Sequence, residues 1–433
     1  MTAFRIGRAV MRRVLGGVRW LMLLTLMLLI LRSGTLRTGD PYFAIATQVM
    51  DAHFDYVGWE LEAIGAKLGQ ASSGTHTALS EAERVGFVQA YFDDLNRAVQ
   101  LEAAIEAAYV DPAVSDPETQ TAPERAERDA LRADLRRRQS ATEAILQGQV
   151  ATVLVEVGFG LGGQLMPPMN MRFTGRTLLL VTSPRDEIDL QYPITLNPIP
   201  VDRQEALERG IREEQDLAAL VVPIGGMALY PAMIVETTSL PYTVETFAHE
   251  WLHHYLMFHP LGWGAELGGD PATRIINETT ASIFGREMGR LVLERYYPDL
   301  VPPVPPPPPA DLPDPTPQTT PPPPIFDYNA AMNETRETVD NLLATGEIAE
   351  AEAYMEERRE LFVANGYGIR KLNQAWFAFY GGYQVAGISA GGADPIGPAV
   401  QQLRDAAPDV RTWVQQMQSI TTRAALLAAA EAT

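Results

Sequence analysis

Apolar positions recur at three- and four-residue intervals along most of this chain, the spacing of amphipathic helices, and fall into short β-favouring runs only near its middle. Residues 41–160 read as helical. Ser80-Glu-Ala-Glu83 fits a capping box, and Val85, Phe87, Val88, Tyr91, Phe92, Leu95 and Val99 follow at helical spacing. After a turn-rich break between Asp111 and Pro123, a charged segment from Glu124 to Arg138 leads into Val150–Val157, which predicts an antiparallel helical hairpin. The pattern changes after Gly158. Met171–Thr174, Arg176–Thr182 and Leu190–Leu196 favour strands, a helix is expected from Arg203 to Asp216, and an apolar run follows from Leu217 to Ala228. Leu220–Gly225, Met227–Tyr230 and Ala232–Glu236 also read as strands, with turns at Gly225-Gly226 and Pro231. Helical patterning returns over 326–433, where Tyr354, Leu361, Phe362, Leu372, Ala375, Trp376 and Phe379 form apolar stripes. The predicted class is α+β and predominantly helical.

The N-terminus departs from this pattern. Trp20–Leu31 is a twelve-residue apolar run whose only polar side chain is Thr25. As a helix it reaches about 18 Å, short of the ~30 Å hydrocarbon core of a bilayer. Extending it back to Val14 gives eighteen residues with one arginine, and Arg19 lies close enough to the end to snorkel. Residues 14–31 are therefore expected to contact a lipid bilayer as an uncleaved single span. The competing expectation is a signal peptide, with the protein secreted after cleavage. Five arginines precede the apolar run and two follow it within the first 37 residues, which favours a cytoplasmic N-terminus and an extracytoplasmic bulk.

Composition narrows the chemistry. The net charge of −20 argues against a nucleic-acid partner. Cysteine is absent, so thiolate catalysis and every Cys-based metal site are excluded, and a metal must be held by His and carboxylates. Fourteen of the 33 prolines lie within 302–324, a polyproline spacer or solvent loop. The expected organisation is a basic segment and anchor over 1–37, a helical hairpin region over 41–160, a metal-binding core over 161–300, the proline-rich linker over 301–325, and a helical C-terminal domain over 326–433.

Four of the six histidines lie within the eleven residues 249–259. In His249-Glu250-Trp-Leu-His253-His254, the two outer histidines of the H-E-x-x-H pattern differ by about 40° around a helix axis, so both imidazoles project from one face and can share a metal. Trp251, Leu252, Tyr255 and Leu256 fall between about 200° and 340° from His249 by the same count of about 100° per residue, giving the helix an apolar back. A catalytic metal needs a third protein ligand and an open position. The leading candidate is Glu278, in Ile275-Ile-Asn-Glu278-Thr-Thr-Ala281, a helix-like segment with its own apolar stripe; Glu266, Asp270 and Glu287 are rivals.

Over residues 247–286 the chain resembles the gluzincin group of zinc metallopeptidases, which carry H-E-x-x-H on one helix and a glutamate ligand on the next. The resemblance implies a zincin-like core with one zinc ion held by His249, His253 and Glu278, Glu250 as general base, and a peptide or protein substrate. It further implies that the extended segment just before the active helix is an edge strand that could hold the substrate by strand addition, the alternative being an interior strand with no ligand. Two departures stand out: a longer loop between His253 and Glu278, and Ser282 where some members have an aspartate, which leaves Asn277 or another acid to orient an imidazole. Candidates for stabilising an oxyanion are His254, Tyr367, Arg370, Tyr380 and Tyr383. The alternative function is a non-catalytic zincin-fold scaffold with a structural metal.

Overall fold

The structure is a computed structural model that describes residues 16–27, 41–110, 115–266, 270–301, 326–382 and 394–433. It divides into two units, residues 1–51 and 52–433. In the first, residues 16–27 and Pro41–Gln48 are helical. Only part of the expected 14–31 span lies among the described residues, and no described helix is long and apolar enough to cross a membrane. Trp20, Leu21, Met22, Leu24, Leu26 and Met27 are all exposed.

The second unit is α+β and predominantly helical, as the periodicity predicts. It opens with α1 (Tyr56–Ser73), followed by α2 (Glu81–Val110) and α3 (Ala122–Leu154). The capping box forms: Ser80 N–H donates to Glu83 at 2.8 Å, and Glu83 N–H to Ser80 Oγ at 3.4 Å. The hairpin is antiparallel. Arg97 pairs with Glu127 and Arg132 with Glu102 toward its tip, and Gln149 reaches Glu81 at its base. Helix α3 ends where the chain distorts over Val155–Phe159, and Gly158 takes a left-handed φ of 103° that a side chain would resist.

Two three-stranded sheets follow. Strand β1 (Met171–Thr174) belongs to one; β2 (Thr177–Pro184), β3 (Gln191–Leu196) and, after α4 (Val201–Gln215), β4 (Leu217–Ile224) build the other, in the antiparallel order β3-β2-β4. The apolar run from Leu217 to Ala228 is thus not one strand. At Gly225 the chain leaves the second sheet and joins the first through β5 (Gly226–Met227) and β6 (Ala232–Val235), giving the order β1-β6-β5. Strand β6 is interior, parallel to β1 and antiparallel to β5, and β1 and β5 are the two edges.

Helices α5 (Leu240–Leu256) and α6 (Pro271–Tyr296) come next. Ser239 caps α5 by accepting from Tyr242 N–H, and Asp270 caps α6 by accepting from Ala272 N–H at 2.9 Å. The apolar back predicted for α5 is buried, with Trp251, Leu252 and Leu256 each at 0% exposure. They join one core with the α2–α3 hairpin, β1, β6 and α6.

The C-terminal helices serve two cores. Helices α7 (Tyr328–Ala344), α8 (Ile348–Ala364) and α9 (Gln374–Tyr380) cover the β3-β2-β4 sheet, burying Met332, Val339, Met355, Phe362 and Phe377 with Val181, Leu220 and Val222. Helices α10 (Ile396–Ala406), α11 (Val410–Met417) and α12 (Arg423–Glu431) instead return to the first core, with Val400, Trp413 and Leu426 fully buried there. Residues 326–433 therefore divide between the two cores.

Candidate metal centre

Helices α5 and α6 cross closely because α6 carries glycine at the crossing. A Cβ on Gly285 would stand 2.9 Å from the Glu245 carbonyl oxygen and 3.0 Å from His249 Cβ, and one on Gly289 would stand 3.0 Å from Glu245 Cα. This close approach sets the carboxylate of Glu278, on α6, against the two imidazoles of α5. Glu278 Oε2 lies 3.5 Å from His249 Nε2 and 3.6 Å from His253 Nε2, and the two Nε2 atoms are 3.0 Å apart. Among the described residues, His249, His253 and Glu278 are the group able to hold a metal ion. Two of the rivals are engaged elsewhere: Asp270 caps α6 and Glu287 pairs with Arg404 at 2.6 Å.

The donor set fits a tetrahedral zinc. Ligand atoms bound at about 2.0–2.1 Å with tetrahedral angles stand about 3.3 Å from one another, close to the three separations here. All three side chains are largely withdrawn from water, at 16%, 9% and 18% exposure for His249, His253 and Glu278. Burial alone would raise the Glu278 carboxyl, yet the two facing imidazoles hold it well below the usual carboxylate range.

A second layer completes the fit. The side-chain amide nitrogen of Asn277 lies 3.0 Å from His253 Nδ1, while its Oδ1 is buried without a hydrogen-bond partner. Amide oxygen and nitrogen are interchangeable in shape. Turning the amide over puts the orphaned oxygen on Nδ1–H and frees the Nε2 lone pair for a metal. Asn277 thus takes the orienting place left open at Ser282.

Glu250 lies 5% exposed, with its carboxylate against the backbone of β5. A Cβ on Gly226 would overlap that carboxylate, so glycine is what lets the edge strand pass so close. The strand directly before α5, β6, is interior and not the expected edge strand, because β1 and β5 pair with it on either side; the edge near Glu250 is β5.

The oxyanion candidates separate. His254 Nε2–H donates to the Leu229 carbonyl at 2.6 Å, and burial lowers its pKa to about 4. A neutral imidazole has one N–H, so His254 has none left for an oxyanion. Arg370 is engaged by Glu205 and Glu208, Tyr367 stacks against Tyr328 at 4.4 Å between ring centroids, and Tyr380 packs on Trp376 at 4.8 Å. These three belong to the second core and not to the metal group. Tyr383 lies outside the described residues.

Sequence reasoning passed over three neighbours. Tyr242 precedes His249 by seven residues, about 20° away on the helix, and reaches Gly225 ahead of β5. Burial, with Glu245 and Glu250 nearby, raises its phenol, which stays a donor at neutral pH. Glu245 lies one turn before His249, 3.9 Å from Arg286, and burial pushes its carboxyl up. Carrying the helical count upstream of His249 would have found Tyr242 and Glu245, whereas Arg286 shows itself only through the helix crossing.

Compared with protein-family models, curated proteins and solved structures, the chain matches none.

Proposed function

We propose that this protein is a zinc-dependent metallopeptidase of the gluzincin type. The observation that carries the reading is the convergence of His249, His253 and Glu278 beside a buried Glu250 that faces a sheet edge. Bound by the three ligands, zinc would supply Lewis-acid polarisation of a peptide carbonyl and acidify water. The remaining work falls to the chain itself. Glu250 takes a proton from the attacking water and returns it to the leaving amine. Asn277 holds the His253 ring in its metal-binding tautomer. The open side of β5 offers backbone N–H and C=O groups to an extended peptide. A structural metal would need no such base, so Glu250 weighs against the non-catalytic scaffold.

At the other end, the exposed apolar helix over 16–27, in an arginine-rich setting, supports a lipid bilayer as the N-terminal partner, with an extracytoplasmic catalytic region. Flotation of the full chain with liposomes, and its loss on removing residues 1–37, tests this.

For the catalytic reading the test is metal content of the chain lacking residues 1–37, with cleavage of a mixed peptide library followed in the same samples. Expected are one equivalent of zinc and cleavage that stops on chelation. Folded protein that neither contains nor takes up zinc would overturn the proposal.

A further inference from the structure

A cavity adjoins α5, the helix of His249 and His253, and is lined by neighbours of the candidate site and not by its own residues. Beyond Met227, the last residue of β5, the chain continues through Ala228 to Tyr230, and both line a pocket of about 710 Å³. Its other walls come from His254, next after His253, from Tyr255, Met257, Phe258 and His259 at and beyond the end of α5, and from the Met166–Pro168 turn. The position is held rigidly. His254 donates to Leu229, the Tyr230 hydroxyl donates to the Pro168 carbonyl at 3.0 Å, and Trp251 Nε1–H donates to the Pro167 carbonyl at 2.8 Å. Among the described residues, no acid, lysine or arginine lines it. Met166, Tyr230, Met257 and Phe258 are 43–75% exposed, an apolar rim that water does not favour.

We infer that this pocket is a specificity site for a bulky apolar side chain, aromatic or leucine-sized, of a peptide held along the open edge of β5. The inference rests on the peptidase reading for its substrate class but not for its binding chemistry. Three observations select the occupant. The pocket continues the strand that passes Glu250, so a peptide paired with that edge runs toward it. Its volume falls in the range of side-chain and small-ligand sites, well above what one small residue fills. Its lining is mostly aromatic, methionine and proline surface, with His254 and His259 as its histidines and no acid, lysine or arginine, so a charged side chain would be desolvated with little compensation.

The test separates this inference from the catalytic one. Fluorescein-labelled peptides Gly-Gly-Xaa-Gly-Gly, with Xaa as Phe, Leu, Ala or Asp, are titrated by polarisation against the Glu250→Gln chain, which removes the base and keeps the pocket. The Phe and Leu peptides should bind at least tenfold tighter than Ala and Asp, a factor in line with burying several methylene groups. Ala228→Trp, which fills the pocket, should erase that difference with zinc content unchanged. Met166→Arg, at an exposed rim position, should shift preference toward Asp and serves if Ala228→Trp fails to fold. Equal binding of all four peptides, or a preference that both pocket variants leave intact, would overturn the inference. Preference without cleavage by the wild-type chain would sink the peptidase and leave the pocket standing.

Discussion

Asn277 and His253 sit on different helices with their side chains in contact, the Asn277 amide nitrogen 3.0 Å from His253 Nδ1 and the Asn277 oxygen buried without a partner. The next residue along α6, Glu278, faces the other nitrogen of the same ring at 3.6 Å. Two neighbouring side chains thus grip one imidazole from both ends. If the orphaned oxygen is what fixes the tautomer, Asn277→Leu should weaken zinc binding about 10–100-fold, the usual cost of losing such a partner, whereas Asn277→Asp should keep most of it. Competition against a chromogenic chelator measures both, and equal affinity in wild type and Asn277→Leu would reject the role.

Ligand and base should separate cleanly. Glu278→Gln is expected to lose stoichiometric zinc, because a neutral amide replaces the one anionic ligand. Glu250→Gln should retain a full equivalent and lose about 10²–10⁴-fold in peptide cleavage. Loss of zinc from Glu250→Gln would mean that Glu250 is itself a ligand.

The glycine at the helix crossing can be checked against one in open space. A Cβ added at Gly148, within α3, would meet nothing within 4 Å, so Gly148→Ala should stabilise by about 0.5–1 kcal/mol through chain entropy alone. Gly285→Ala gains the same propensity but must push α6 away from Glu245 and His249, at a cost of about 1–3 kcal/mol. Urea unfolding should therefore give opposite signs, with weakened zinc binding in Gly285→Ala only.

His254 predicts an acid limb to stability. Its folded pKa of about 4 lies below the ordinary 6.5, so the unfolded chain takes up a proton first as pH falls. The contribution is fully present above pH ~6.5 and declines toward pH 4, by up to about 3 kcal/mol. His254→Gln, which keeps an N–H for Leu229 and cannot titrate, should flatten unfolding free energy over this range. Parallel pH profiles for the two proteins would exclude His254 as the cause.

The second core should be separable from the site. Glu208 has a fully buried side chain held by Arg370 and Lys371. Arg370→Ala leaves Lys371 to hold that carboxylate and should cost about 1–3 kcal/mol, less than the ~3–5 kcal/mol of a buried charge stripped of every partner. Zinc content should not change. A loss of zinc at unchanged stability would return Arg370 to the active site.

Local pattern was enough for the helices that carry the chemistry. The 3.6-residue period brings His249 and His253 to one face and places Trp251, Leu252 and Leu256 between about 200° and 340° from His249, and the pairing of the histidines and the burial of the apolar three stand as read, since spacing along one helix is a local property. The capping box at Ser80 and the hairpin behind it were legible for the same reason. The tyrosines and arginine sought for an oxyanion were not: Tyr367, Arg370 and Tyr380 have the right functional groups, and only packing against the second sheet reveals that they are used there.

Residue order alone thus dictates the shared face of His249 and His253, the apolar back of their helix, the predominantly helical α+β class and the exclusion of thiol chemistry. Packing in three dimensions settles the rest: which carboxylate meets the two imidazoles, that Asn277 turns toward His253, that Gly226 admits the Glu250 carboxylate, and how residues 326–433 divide between two cores. Each of these depends on the close approach of segments distant along the chain, set by glycine at a crossing and by the burial of apolar faces, and periodicity along a single segment carries no record of which other segment will cover it.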